Sequence, residues 1–240
     1  MIVFALDSQA GILKRGAARC QSARNSVIIY LDLIFDRGFQ VLISLFYRQD
    51  CLKSRFLRLV LREMDWELDE FDVEDPESAK KLVLFKEEMG SGSKPIHPAI
   101  YSTEAYSHEL FCILEYLHER NPGKSMYPNA PTLRLSLRTI LHRVIRAGVP
   151  AWAHHLTGDS TELLALYGDT EQLMEAIVRS PQTYRSNPET PTFLEVLFAL
   201  LAHEVHRSKP IENKTIRRWL KEMAERDSFS ALIPEFERTT

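Results

Sequence analysis

The hydrophobic rhythm of the chain changes once. Between residues 41 and 120 short apolar runs alternate with amphipathic stretches, and beyond 121 only a helical period persists. VLISLFYR (41–48) is β-branched and aromatic, the composition of a buried strand, and the polar RQD ends it. CLKSRFLRLVLREMDW (51–66) places Phe56, Leu57, Val60, Leu61 and Met64 on one helical face, with Arg55, Arg58 and Arg62 largely outside it. WELDEFDVE (66–74) alternates apolar and acidic residues as a half-buried strand does. Asp75-Pro76-Glu77 then opens a second helix through Phe85 and Met89, since the fixed φ of proline suits a first turn and its missing N–H is not needed there. GSGS (90–93) reads as a loop. Residues 98–101 and a turn near Thr103 predict a short hairpin, after which Ser107 is placed to cap the helix HELFCILEYLHER, 108–120.

The predicted order β, α, β, α, β, β, α, with a proline opening the third strand, is that of a thioredoxin-like domain. The helical patterns after Asn121 are broken at 148–150, at TGDS (157–160) and at SNPETP (186–191). The expected fold class is therefore α/β plus all-α: an N-terminal extension over 1–38, a thioredoxin-like domain over 39–120, a linker over 121–129 and an all-helical domain over 130–240.

Composition narrows the function classes. The 240 residues are 45% hydrophobic and 26% charged, as in ordinary globular proteins, and a net charge of −3 disfavours direct nucleic-acid binding. Three cysteines, Cys20, Cys51 and Cys112, make no even disulfide framework and read as free thiols in a reducing cytoplasm. The apolar stretch 26–47 is interrupted by Asp32, Asp36 and Arg37, so no membrane span is expected. Lys14, Arg15, Arg19 and Arg24 faintly resemble a targeting peptide, although an irregular leader is the commoner explanation.

Several short motifs stand in register. Cys51-Leu-Lys-Ser54 with Arg58 looks like a C-x-x-S…R helix opening, and His97-Pro98 occupies the place of a V-P dipeptide. Glu109 followed by ILEYLHER looks like an E-S…ILEYLDER helix, and MYPNAPTLRLSLR (126–138) looks like an L-x-P-x-x-P-x-x-R-x-x-x-R linker. Together they resemble the glutathione S-transferase superfamily. RTILHRV (138–144) and AERDSF (224–229) are similar to stretches of its stringent starvation protein A branch, and Thr192-Phe-Leu-Glu195 fits the capping box that starts a buried helix in these proteins. The resemblance implies a cis proline at Pro98 and a homodimer burying surface around 106–119 and 133–146. It also implies a non-enzymatic cytoplasmic regulator that associates with RNA polymerase, or another transcription protein, in stress response and virulence, with no cofactor. The branch's exposed P-H-P motif is replaced here by Pro122-Gly123-Lys124, and a tyrosine of its V-Y-P stretch by Ala130.

The same resemblance supplies a competing reading, a glutathione-dependent thiol transferase using Cys51. A helix N-terminus favours the thiolate there, and the candidate ligand cleft is Cys51, Ser54, His97, Pro98 and Glu109. In the superfamily a Glu-Ser or Gln-Ser pair holds the γ-glutamyl carboxylate. Here the pair reads Glu109-Leu110, and leucine offers no hydroxyl, a loss of about 1–3 kcal/mol. That impaired anchor argues against an efficient enzyme. The candidate partner surface is an exposed ridge of Pro122, Lys124, Tyr127, Arg134 and Arg138, although the two arginines would serve equally to brace the domains. A structural adaptor is the third reading.

The remaining polar features carry plainer expectations. Cys112 is expected in the core, and His154-His155 near a helix end in solvent. Lys214, Arg217, Arg218 and Lys221 read as the wet face of a helix whose apolar side includes Ile216, Trp219, Leu220 and Met223. His203 and His206 in HEVH lack the H-E-x-x-H spacing, so no metal site is expected.

Overall fold

Ile43 and Leu45 are wholly buried, and the strand that carries them, β1 (Ile43–Tyr47), lies inside a four-stranded sheet of order β2-β1-β3-β4. The computed structural model describes residues 42–88, 97–103 and 105–232. The predicted extension 1–38, Cys20 and the GSGS loop lie outside the described residues. β2 (Leu68–Asp72) runs parallel to β1 from Ile43↔Leu68 to Tyr47↔Asp72. A parallel pair needs a crossover, and α1 (Leu52–Glu63) supplies it. After α2 (Pro76–Glu88), β3 (Ala99–Tyr101) pairs antiparallel with β1 at Leu45↔Ile100, and β4 (Tyr106–Ser107) closes the hairpin on β3. α3 (Leu110–Arg120) completes the thioredoxin-like part.

Two local expectations fail here. Cys112 is exposed, because the buried face of α3 is Leu110, Ile113, Leu114 and Leu117, an i, i+3, i+4, i+7 stripe that leaves Cys112 outside. Ser107 does not cap α3. It lies in β4, its Oγ accepts the Glu109 N–H at 3.1 Å, and Glu109 is the N-cap residue, with no side-chain bond of its own.

The helical part holds α4 (Pro131–Leu156), α5 (Thr161–Arg179), a short α6 (Pro181–Tyr184), α7 (Phe193–Ser208), α8 (Lys214–Ala224) and α9 (Asp227–Leu232). The break expected at 148–150 is absent, and α4 continues through Gly148 and Pro150 for 26 residues. Tertiary packing overrides the local signal. A Cβ at Gly148 would meet the Leu52 side chain at 3.0 Å, so the glycine sets a close helix approach rather than a stop. Beyond Pro150, Ala151 and Trp152 are buried and hold the last turns in place. The breaks at TGDS and SNPETP fall between helices as expected.

α7 is the central helix, buried on every face from Phe193 to Val205. Its start is the expected capping box: Thr192 Oγ1 accepts the Glu195 N–H at 3.1 Å, and Glu195 Oε2 accepts the Thr192 N–H at 2.8 Å. α8 buries Ile216, Trp219, Leu220 and Met223 and leaves its basic face in solvent. Among the described residues no helix is long and apolar enough to cross a membrane.

The two parts meet along α1, which touches α4, α7 and α9. At its C-terminal end Glu63, with 3% of its side chain accessible, accepts Arg226 Nε at 2.8 Å and Nη2 at 2.6 Å, and also the Ser228 hydroxyl. Phe229 is fully buried beside them in sequence, so the ERDSF stretch fastens the C-terminal region to α1. Arg226→Ala would strand a buried carboxylate. The expected loss is about 3–5 kcal/mol, on the order of ten degrees in melting temperature, whereas the exposed Arg218→Ala should stay within about 0.5 kcal/mol. Equal melting temperatures for the two variants would show that Glu63 needs no countercharge.

Candidate active site

The turn from β1 into α1 is built from polar contacts. The Cys51 N–H donates to the Arg48 carbonyl at 3.3 Å, and the Arg48 N–H donates to Ser54 Oγ at 3.2 Å. The Arg48 guanidinium donates to Asp50 and holds its carboxyl below the ordinary range. The remaining carbonyls of the turn are satisfied from elsewhere: Arg55 Nε donates to Gln49 O at 2.6 Å, and Trp152 Nε1, from α4, donates to Asp50 O at 2.9 Å. The residue before the candidate nucleophile is thus tied to the helical part of the molecule.

Cys51 is the N-cap residue of α1, extended at φ −92° and ψ 121°, and half-buried. Burial pushes its thiol up. Hydrogen bonding from His97 and from the amide and hydroxyl of Ser54, together with the charge of His97, outweighs that and brings it to about 7, against an ordinary 9.0. About half the thiol is then ionised at neutral pH. The peptide bond between His97 and Pro98 is cis, as expected, and Pro98 is buried at the start of β3. Two of the sequence-predicted cleft residues, Ser54 and His97, therefore interact with the Cys51 sulfur.

Glu109 is exposed on a neighbouring cleft of about 500 Å³, between the starts of α1 and α3 and the middle of α4, whose walls include Lys53, Phe111, His142, Ile145 and Arg146. Leu110 is buried at the first position of α3, so no hydroxyl stands beside Glu109.

A buried network behind the turn escapes sequence reasoning. Arg55 stacks on the Trp152 ring at 5.3 Å and donates to Glu204 Oε1 at 3.2 Å. Glu204, 5% accessible, also receives Arg207 at 3.3 Å and meets His155 Nε2 at 3.4 Å. Burial pushes the Glu204 carboxyl up, but His203, Arg207 and Arg55 hold it at about 2. The solvent expectation for His155 is corrected, because its Nδ1 meets Ser160 Oγ at 2.8 Å and its ring is mostly buried. In sequence Glu204 stands within HEVH and resembles a failed metal motif. Its partner Arg55 is 149 positions away, and nothing local announces the pair.

The candidate partner ridge loses its aromatic member to the core. Tyr127 is 1% accessible, packed edge-on against Phe193 at 4.6 Å and His118 at 5.2 Å. The linker is pulled inward because the Phe193 N–H donates to Met126 O at 3.2 Å and Ser186 Oγ donates to Ser125 O at 2.7 Å. Arg138 lies over the Tyr127 ring at 4.8 Å and pairs with Glu115, Arg134 donates to Pro128 O at 3.2 Å, and Lys124 pairs with Asp65. These cations brace the fold, and Pro122 sits exposed in a short 3₁₀ turn, Pro122–Lys124.

A thioredoxin-like sheet followed by a helical bundle recurs in solved structures. Maleylacetoacetate isomerase from Anaeromyxobacter dehalogenans 2CP-1, with dicarboxyethyl glutathione and citrate in its active site, matches at 17% identity and TM-score 0.55, over 82% of this chain and 94% of that one. A glutathione S-transferase from the Antarctic clam Laternula elliptica matches at 14% identity and TM-score 0.57, over 81% and 94%. The Tau class transferase of mango, Mangifera indica, matches at 15% and 0.57, over 82% and 94%. The fold is that of the glutathione S-transferases. No protein-family model matches the chain, and no curated protein sequence matches it. On this transferase fold the likeness extends to the architecture and does not single out the starvation protein branch.

Two measurements test the electrostatics. In a Cys20→Ser, Cys112→Ser background, alkylation of Cys51 by iodoacetamide is expected to follow a midpoint near 7, and His97→Phe should move it upward. A midpoint unmoved by that substitution would remove His97 from the site. The Glu204 carboxyl, ordinarily at 4.5 and held at about 2, contributes stability that is complete above pH 4.5 and lost as pH falls toward 2. The stability gap between wild type and Glu204→Gln in urea melts should therefore narrow over that interval, and a gap independent of pH would contradict the buried ion cluster.

Proposed function

We propose that the protein is a glutathione-dependent thiol transferase with Cys51 as its nucleophile. The observation that carries this reading is the thiol held at about 7 on the N-terminus of α1, against His97 and beside the cis Pro98. A thiolate near ambient pH combines ionised fraction with nucleophilicity. The Cys51 thiolate attacks the glutathionyl sulfur of a mixed disulfide between glutathione and a second thiol. That S–S bond breaks, the second thiol leaves as its thiolate and takes a proton from water, and Cys51 carries glutathione as a mixed disulfide. A second glutathione thiolate attacks the same glutathionyl sulfur, oxidised glutathione departs and the Cys51 thiolate is restored. His97 and Ser54 stabilise the thiolate as attacking group in the first step and as leaving group in the second. The glutathione derivative bound by the similarly folded maleylacetoacetate isomerase supports glutathione as the co-substrate. The exposed Glu109 remains available to the glutathione ammonium, while Leu110 predicts a weak hold on its carboxylate.

The transcription-regulator reading rests on the motif resemblance to the starvation protein branch, and the burial of Tyr127 removes the aromatic on which its docking argument stood. The deciding experiment couples glutathione reductase to the reduction of glutathione-mixed 2-mercaptoethanol disulfide. Wild type is expected to turn over, and Cys51→Ser to lose at least about a hundredfold. Equal rates would defeat the proposal. Retention of RNA polymerase subunits from a native lysate by a protein without thiol transfer would restore the regulator reading.

A further inference from the structure

We infer that Arg55 and Trp152 are positioning residues for the reaction at Cys51: they hold the two carbonyls that precede it in the chain and so fix the backbone from which its sulfur attacks. The inference rests on the thiol-transfer reading and extends the machinery of that same site to α4 and α7.

Cys51 stands where regular structure supports only one side of it. After it, the Arg55 N–H donates to Cys51 O at 3.0 Å, the first intrahelical bond of α1. Before it, residues 48–50 belong to no helix or strand, and a peptide there would turn freely if nothing held its carbonyl. Both preceding peptides are held. The Asp50–Cys51 peptide is pinned at its two ends, where Trp152 Nε1 donates to Asp50 O at 2.9 Å and the Cys51 N–H donates to Arg48 O at 3.3 Å. The Gln49–Asp50 peptide is pinned by Arg55 Nε, which donates to Gln49 O at 2.6 Å.

The two donors are themselves fixed. Trp152 is 2% accessible, the Arg55 guanidinium lies over its ring at 5.3 Å, and Arg55 Nη1 donates to the buried Glu204 Oε1 at 3.2 Å. Glu204 is closed in turn by Arg207 and His155. One guanidinium thus spends separate arms on a carbonyl of the turn and a carboxylate of α7, a use that the single ammonium of a lysine does not reproduce. The groups that draw the Cys51 thiol down are His97 and Ser54, so Arg55 and Trp152 act on it through the backbone. Release of either carbonyl lets the sulfur leave its donors, which weakens the thiolate and misaligns it for attack without any change of charge nearby.

The test removes one donor at a time. Trp152→Phe keeps an aromatic ring beside Arg55 and deletes the N–H to Asp50 O, and Arg55→Lys keeps a cation for Glu204 and deletes the Nε donor to Gln49 O. In the Cys20→Ser, Cys112→Ser background each should raise the midpoint of Cys51 alkylation by iodoacetamide by about half a pH unit or more. In the mixed-disulfide assay each should lower kcat by about threefold to tenfold with KM little changed. Arg226→Lys, at the opposite end of α1, should lower the melting temperature and leave both midpoint and kcat at wild type, which separates positioning from stability. Trp152→Phe, which leaves every buried charge paired, decides the matter where Arg55→Lys does not fold. Variants that melt lower but keep the wild-type midpoint and kcat are scaffold residues, a result that overturns the inference and leaves the thiol transferase standing. Raised midpoints in a protein whose wild type turns over no mixed disulfide overturn the transferase and uphold the positioning of the thiol.

Discussion

Every feature of the candidate site depends on the position of α1, and α1 is held by two buried carboxylates that belong to different halves of the molecule. Glu204 of α7 receives Arg55 at the helix start, and Glu63 at the helix end receives Arg226 from just before α9. Neither carboxylate tolerates isolation, because an unpaired charge in the interior costs several kcal/mol. The apolar face of α1 packs closely, as at Leu52 over Gly148, and the ion pairs add direction, since each arginine must meet a fixed oxygen. The sheet side of the molecule and the helical bundle are thereby registered to one another through a single helix, and the cysteine at its start is placed with them.

The chemistry of Cys51 follows from a contest that burial alone would lose. Half-burial raises a thiol pKa, and only donors placed on the sulfur reverse it. His97 is brought there by the start of β3, and Ser54 by the first turn of α1, whose hydroxyl also accepts the Arg48 N–H. Fixing those donors requires a fixed turn. Its carbonyls are held by Arg55 and Trp152, and Arg55 is itself held by Glu204, so the buried cluster reaches the thiol through one carbonyl rather than by direct contact.

Patterns that depend on near neighbours were legible in the chain. β1, α1, β2, the hairpin and the capping box at Thr192 all came from spacing within a dozen residues, and each stands where the spacing puts it. Reading failed wherever a distant partner decided the outcome. Pro150 looks like a helix stop until Leu52 is seen packed on Gly148. Tyr127 looks like a surface aromatic in a polar linker until Phe193 and the Met126 carbonyl draw it inward. His155 looks solvated until Glu204 arrives from 49 positions away. Cys112 is the exception, a local error: its neighbours Leu110 and Ile113 define a face that omits it. Ser54 and His97, which interact with the Cys51 thiol, were among the candidates because the family resemblance marks a helix start and a cis-proline position. Trp152, which holds the Asp50 carbonyl, was missed because nothing in sequence brings α4 to that turn.

The substitution at Leu110 and the composition of α4 belong to one argument. A serine at the first position of α3 would offer a hydroxyl to a carboxylate without help from any other element. Leu110 instead joins the core and stabilises the start of α3 by burying its side chain, about 1.5–3 kcal/mol. The element facing that end of α3 across the cleft is α4, which donates Trp152 to the Asp50 carbonyl. A displacement of α4 would disturb the turn that positions Cys51, so the helical half is part of the site and not merely its support.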